Sequence, residues 1–205
     1  MHTQQIVHGG LDLSQAKKAL IMTHGRGGNA SDILSLAQSL HVENYALLAP
    51  QAMHNTWYPY SFMMPPSKNE PWLSSAIDVL KGVVEEVMKE GITTENIYFL
   101  GFSQGACLTL EFITRNATKW GGAVAFSGGL IGDKVYMENY KGNFADTPVF
   151  ISCGDFDPHI PLERVHESTT ILTNMGASVT EQIYDNKGHF ISQDEVDRAN
   201  KIIFI

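Results

Sequence analysis

The sequence is short of cysteine, short of positive charge, and without a long apolar run. Cys107 and Cys153 are the only two cysteines among 205 residues. Both fall in apolar stretches, where a buried thiol behaves as a small hydrophobe. No disulfide is expected, and a reducing compartment fits. Lys and Arg number 14 against 22 Asp and Glu, a net charge of −8. A nucleic-acid surface needs clustered cations, and no basic patch occurs. No apolar stretch reaches the ~20 residues of a membrane span. The start Met1-His2-Thr3-Gln4-Gln5 lacks the basic and apolar segments of a signal peptide. These absences predict a cytoplasmic protein that neither binds nucleic acid nor spans a membrane. Neither His-Glu-x-x-His nor a paired-cysteine pattern is present, so no metal and no cofactor are expected. Two glycosylation sequons, at Asn29 and Asn116, carry no meaning in that compartment.

What is present is enough for one core. An apolar content of 43% over this length buries roughly 70% of the unfolded surface without disulfides or metals. Apolar strand-like runs alternate with helical patterns throughout, with no repeat, linker or low-complexity segment. Residues 1–205 are therefore expected to form a single α/β domain, a mostly parallel sheet with helices on both faces.

In chain order, Ile6-Val7 reads as a short edge strand and Lys18 to Thr23 as a buried strand. The latter runs into the turn His24-Gly25-Arg26-Gly27-Gly28-Asn29. Gly25-x-Gly27-x-x-Ala30 fits a dinucleotide-binding turn, but that reading needs an acidic residue closing the next strand. The next strand, Tyr45 to Leu48, ends in Ala49-Pro50-Gln51. The other reading is an oxyanion loop, whose backbone N–H groups face a developing negative charge. Between the two strands, apolar positions 33, 36, 37 and 40 mark a helix over 31–40 capped by Ser31 or Asp32.

The connection from Ala52 to Glu70 is unusually long, and its aromatic content argues against disorder. Trp57, Tyr58 and Phe62 form either an apolar substrate wall or a satellite core. Pro71 then opens a helix with Leu73, Ile77, Leu80, Val84, Val87 and Met88 on one face until Gly91. Further strands are expected at 120–126, 148–152 and 177–184, with helices at 160–175 and from Gln193 onward. Only about twenty residues separate Phe126 from Pro148, too few for an inserted lid domain.

The chain is organised around Gly101-Phe102-Ser103-Gln104-Gly105, entered from the apolar run 96–100 and left through 106–113. Strand, Gly-x-Ser-x-Gly and helix together read as a nucleophile elbow, in which residues without side chains let strand and helix approach closely. A serine hydroxyl needs a base to take its proton and a carboxylate to orient that base. Three loops at the carboxyl ends of strands carry Ser103, Asp157 and His189, in the chain order nucleophile, acid, histidine. For the acid, Asp157 leads over its neighbour Asp155, with Asp185 third. His24 is placed to brace the oxyanion loop, and the remaining histidines have no matching partner.

Four segments, Thr23-His24-Gly25-Arg26-Gly27-Gly28, the Gly-Phe-Ser-Gln-Gly-Ala elbow, Gly154-Asp155-Phe156-Asp157-Pro158-His159-Ile160-Pro161 and Gly188-His189-Phe190, give the chain a family resemblance. From about Leu20 onward it resembles the carboxylesterase/phospholipase family of α/β-hydrolases, which includes small bacterial carboxylesterases and acyl-protein thioesterases. The resemblance implies an α/β-hydrolase fold without a lid, with Ser103 as nucleophile, Asp157 as acid and His189 as base. It also implies an oxyanion hole from the backbone N–H groups of Arg26 and Gln104. The thioesterases usually carry an apolar residue at the position of Arg26. The expected activity is carboxylic-ester hydrolysis on a small-molecule substrate. Its rivals are thioester or lysophospholipid hydrolysis with the same residues, and a non-catalytic ligand-binding protein. A homodimer is compatible with this reading.

Overall fold

A computed structural model describes residues 1–205. Seven strands, β1 (Ile6–Gly10), β2 (Lys18–Thr23), β3 (Tyr45–Pro50), β4 (Ile97–Phe102), β5 (Gly122–Phe126), β6 (Pro148–Gly154) and β7 (Ser178–Tyr184), form one sheet. Its order is β1-β3-β2-β4-β5-β6-β7. Only the β1 to β3 pairing is antiparallel, and the other five pairings are parallel. The helices are α1 (Ala30–Ser35), α2 (Pro66–Asn69), α3 (Trp72–Lys89), α4 (Gln104–Arg115), α5 (Leu162–Asn174) and α6 (Gln193–Ile202).

Strand side chains alternate between two apolar layers because successive residues point to opposite faces. Ala19 and Ile21 join a cluster with buried residues of α3, α4 and α5. Leu20 and Met22 face the other way, into a cluster with Ile33 of α1 and Val196 and Ala199 of α6. Both faces are thereby covered, as a mainly parallel sheet requires. This is the α/β-hydrolase architecture. The order reverses between β2 and β4, and in such sheets ligands bind beyond the carboxyl ends of strands at the reversal. The turns that follow β2 and β4 begin at His24 and Ser103.

Two local expectations need correction. The helix over 31–40 splits into α1 and a 3-10 turn at Leu36–Ser39. Its cap is Asn29, whose side-chain oxygen accepts the Asp32 N–H at 2.9 Å. In α3 the buried stripe is Leu73, Ala76, Leu80, Val83 and Val87, whereas Met88 is 48% exposed. Eight residues beyond Leu80 falls about 80° round the helix, which turns Met88 off the stripe. No helix is long and apolar enough to cross a membrane.

Candidate active site

Ser103 stands between β4 and α4 with φ 54° and ψ −119°. A non-glycine residue held there carries strain of order 1–3 kcal/mol, which the surroundings must impose. Its N–H is tied to Phe126 O at 3.0 Å, and its carbonyl accepts the Cys107 N–H at 3.0 Å. The flanking glycines are steric necessities. A Cβ on Gly101 would lie 2.6 Å from Ala106 N, and one on Gly105 would lie 2.6 Å from His24 O.

The loops after β6 and β7 bring two partners to this serine. His189 Nε2 is 2.7 Å from Ser103 Oγ, and His189 Nδ1 is 2.7 Å from Asp157 Oδ2. The other Asp157 oxygen accepts backbone N–H groups from His159 at 2.9 Å and Ile160 at 3.1 Å. Burial pushes the Asp157 carboxyl up, but the His189 hydrogen bond and these two N–H donors outweigh it and hold the group at about 2. A carboxylate so fixed orients the imidazole with its Nδ1 proton toward Asp157 and Nε2 toward the serine. The ring also packs on Phe102, with centroids 5.0 Å apart. Asp155 accepts only a 3.3 Å bond from Lys187 N. Both Asp155 and Asp185 are exposed.

The turn after β2 completes the site. The position of a Cβ on Gly25 lies 3.3 Å from Ser103 Cβ, so the His-Gly backbone runs directly beside the serine. Neither the Arg26 N–H nor the Gln104 N–H donates to an acceptor in the chain. The N–H groups of Gly27 and Gly28 are occupied, by Asn55 O at 2.7 Å and Gly25 O at 3.1 Å. They leave no cradle for a pyrophosphate. His24 braces the loop by way of both ring nitrogens, with Nδ1 2.8 Å from Gly25 O and Nε2 accepting the Ala52 N–H at 3.1 Å. Burial pushes its pKa below the ordinary histidine value.

One segment, residues 56–60, holds the side chains of both oxyanion candidates, and nothing in the sequence signalled this. Gln104 Oε1 accepts the Trp57 N–H at 2.8 Å, and its Nε2 donates to Tyr58 O at 2.8 Å. The Arg26 guanidinium donates to Thr56 Oγ1 at 2.9 Å, Pro59 O at 3.0 Å and Tyr60 O at 2.7 Å.

A cleft of about 570 Å³ opens on Ser103 and His189. Tyr58 and Phe62 line it, as do Cys107 and His159, for which no such position was expected. Trp57 is the exception among the three expected wall residues. It is fully buried and packs in the core, with its indole N–H donating to His24 O at 2.9 Å. An indole needs a partner for its N–H when buried, and that bond turns the ring beneath the His24-Gly25 turn rather than into the cleft.

The family profile described as Phospholipase/Carboxylesterase matches residues 6–205. Among curated relatives, a probable carboxylesterase SOBER1-like of Arabidopsis thaliana is 27% identical, covering 89% of this chain and 76% of that protein. Acyl-protein thioesterase 1 of Candida albicans is 29% identical, covering 93% of this chain and 92% of its own length. A crystal structure of a phospholipase/carboxylesterase from Dyadobacter fermentans superimposes with a TM-score of 0.98 at 52% identity, covering 100% of this chain and 98% of that one. With a profile match over almost its whole length, the chain belongs to the phospholipase/carboxylesterase family of hydrolases.

Proposed function

We propose that the protein is a serine carboxylic-ester hydrolase working through an acyl-enzyme, with residues 1–205 acting as one catalytic domain. The observation that carries this reading is the hydrogen-bonded relay from Ser103 through His189 to Asp157 at 2.7 Å per step. Ser103 Oγ attacks the acyl carbonyl while His189 Nε2 accepts the hydroxyl proton, and Asp157 stabilises the imidazolium that results. The carbonyl oxygen becomes an oxyanion, to which the uncommitted Arg26 and Gln104 N–H groups donate. Each such donor is worth roughly two to three powers of ten in rate. His189 then gives its proton to the departing alcohol. A water molecule repeats the sequence on the acyl-enzyme, releasing the carboxylic acid and restoring Ser103.

Tyr58 and Phe62 supply apolar wall to the cleft, which suits acyl groups of small or medium length. The same relay can cleave a thioester, and the similarity to a protein named acyl-protein thioesterase makes that the second reading. The free, buried Cys107 and Cys153 suit a reducing, cytoplasmic setting.

The test is hydrolysis of p-nitrophenyl acetate, butyrate and octanoate, run beside the matching acyl thioesters, by wild type and Ser103→Ala. Turnover that falls by roughly three or more powers of ten in the variant, with fluorophosphonate labelling at Ser103 alone, is the expected result. Folded wild-type protein that neither turns over nor labels would overturn the reading.

A further inference from the structure

Arg26 is exposed at the cleft, and no carboxylate lies within ion-pair distance of it. Arg115 and Arg164, by contrast, each pair with a glutamate at 2.8 Å. A guanidinium has five N–H donors. Three here go to uncharged acceptors, the hydroxyl of Thr56 and the carbonyls of Pro59 and Tyr60. Bonds of that kind fix the group in place without neutralising it. Two N–H donors, one on Nε and one on Nη2, remain.

The surroundings strengthen the charge. None of the 12 residues lining the cleft is Asp or Glu, although the chain carries 22 of them. The Tyr58 ring backs the guanidinium at 6.0 Å. The His159 ring, which also lines the cleft, lies 4.8 Å from that of His189. A pre-oriented arginine without a counter-ion, in a cleft without carboxylates, is a receptor for an anion. Its hydrogen bonds to residues 56–60 account for its position but not for the missing counter-ion.

We infer that the cleft selects acyl esters carrying an anionic oxygen group, a carboxylate or a phosphate, near the scissile bond, with the Arg26 guanidinium as its counter-ion. The inference rests on the hydrolase reading and narrows its substrate class.

Two substrate pairs of matched size test it and separate the sources of the anion. Monoethyl succinate against ethyl butyrate places a carboxylate on the acyl side. 1-Butyrylglycerol 3-phosphate against 1-butyrylglycerol places a phosphate on the alcohol side. The readout is the ratio of kcat/KM, anionic over neutral, for wild type, Arg26→Met and Arg26→Lys. On at least one pair wild type should prefer the anion by about tenfold, the scale of one charge-assisted hydrogen bond, mostly in KM. Arg26→Met should bring that ratio to about one, and Arg26→Lys should retain part of it. A general loosening of residues 56–60 lowers both rates and leaves the ratio unchanged, so a preference that survives in Arg26→Met overturns the inference. So does a wild-type ratio near one on both pairs. With unmodified enzyme, the free anion of the pair that shows the preference, succinate or glycerol 3-phosphate, should compete against ethyl butyrate while its uncharged counterpart, succinamide or glycerol, does not, and equal potency of the two also overturns it. Failure of the parent reading looks different, because no ester of either charge is then hydrolysed.

Discussion

Gln104 grips the backbone of Trp57: its Oε1 accepts the Trp57 N–H at 2.8 Å while its Nε2 donates to the next carbonyl, Tyr58 O, at 2.8 Å. The residue that follows the serine therefore has its side chain fastened to the segment that also fastens Arg26. The two N–H groups proposed for the oxyanion come from the turn after β2 and the first residue of α4, and residues 56–60 tie them into one unit.

Gln104→Leu should uncouple that unit. The variant keeps the volume but strands the buried Trp57 N–H, whereas Tyr58 O keeps the Thr56 hydroxyl at 3.1 Å, so the cost is about 1–3 kcal/mol for the one group left unsatisfied. A urea melt should show a loss of that order. Ester turnover should fall in kcat more than in KM, because a misplaced oxyanion donor weakens the transition state above the ground state. An unchanged kcat with a raised KM would mean that the clamp shapes only the binding cleft.

Asp157→Asn should lower kcat by roughly three to four powers of ten, since an amide cannot hold the imidazole in the required tautomer. Asp155→Asn, which touches only the Lys187 N–H at 3.3 Å, should stay within about threefold of wild type. The depressed carboxyl of Asp157 also sets a stability window. Its folded pKa of about 2 lies below the ordinary 3.8, so its contribution is complete above 3.8 and is lost as pH falls toward 2. Acid melts of wild type and Asp157→Asn should converge through that range.

The sheet, the elbow and the order Ser103, Asp157, His189 were legible in the sequence because each rests on a local signal. Gly101 and Gly105 mark where strand and helix must touch, and period-two apolar runs mark the strands. The roles of Arg26 and Gln104 as clamped side chains were not legible. Their hydrogen-bond partners lie 30 to 48 positions away in the chain, and most are backbone atoms, which any residue type supplies. Trp57 misled for a related reason. Aromatic content says that a loop is packed, but not whether a given ring faces the cleft or the core. His2 gave no sign at all, yet its Nε2 is 2.9 Å from Trp57 O and its Nδ1 accepts the Met53 N–H at 3.1 Å.

His2 and His24 together give an acid response above the range where Asp157 acts. They accept the consecutive N–H groups of Met53 and Ala52, at 3.1 Å each, and only an unprotonated nitrogen can accept. Burial lowers both folded pKa values below the ordinary 6.5. The stabilisation is therefore complete above 6.5 and declines as pH falls through the lower folded values, by at most about 1.4 kcal/mol per pH unit for each group. The Tm should drop between pH 7.5 and 5, and less steeply in His2→Asn and His24→Asn. Equal slopes in all three proteins would remove the histidines from this role.

Cys107 and Cys153 should be inert to iodoacetamide in the native protein at pH 8. Burial, the larger cause in each, pushes both thiols up to about 12, and the thiolate is the reactive form. Mass spectrometry should find no adduct natively and two in urea. Rapid native labelling of Cys107, which lines the cleft, would mean that the cleft floor opens far more often than this packing allows.

The loop that carries His189 holds, two residues earlier, the lysine of a buried charge pair. Lys187 Nζ lies 3.1 Å from Glu195 Oε2, with the two side chains 6% and 0% exposed, an ion-pair distance without hydrogen-bond alignment. Glu195 also accepts the Ser152 hydroxyl at 2.7 Å and the Ser192 N–H at 2.7 Å. The loop that carries His189 is thus fastened to both β6 and the start of α6. Lys187→Met leaves the carboxylate three other donors, the Ser152 hydroxyl and the N–H and hydroxyl of Ser192, whereas Glu195→Gln leaves a buried ammonium with no counter-charge. Breaking a buried pair from one side costs about 3–5 kcal/mol, and Glu195→Gln should fall in that range and exceed Lys187→Met. The double variant removes both charges and keeps the capping residue amide-bearing, so it should be more stable than Glu195→Gln alone. Ester turnover should follow the same ranking, because the loop sets the distance from His189 Nε2 to Ser103 Oγ. Additive losses across this cycle would show that Lys187 and Glu195 stabilise the loop independently and that the pair does not hold His189 in register.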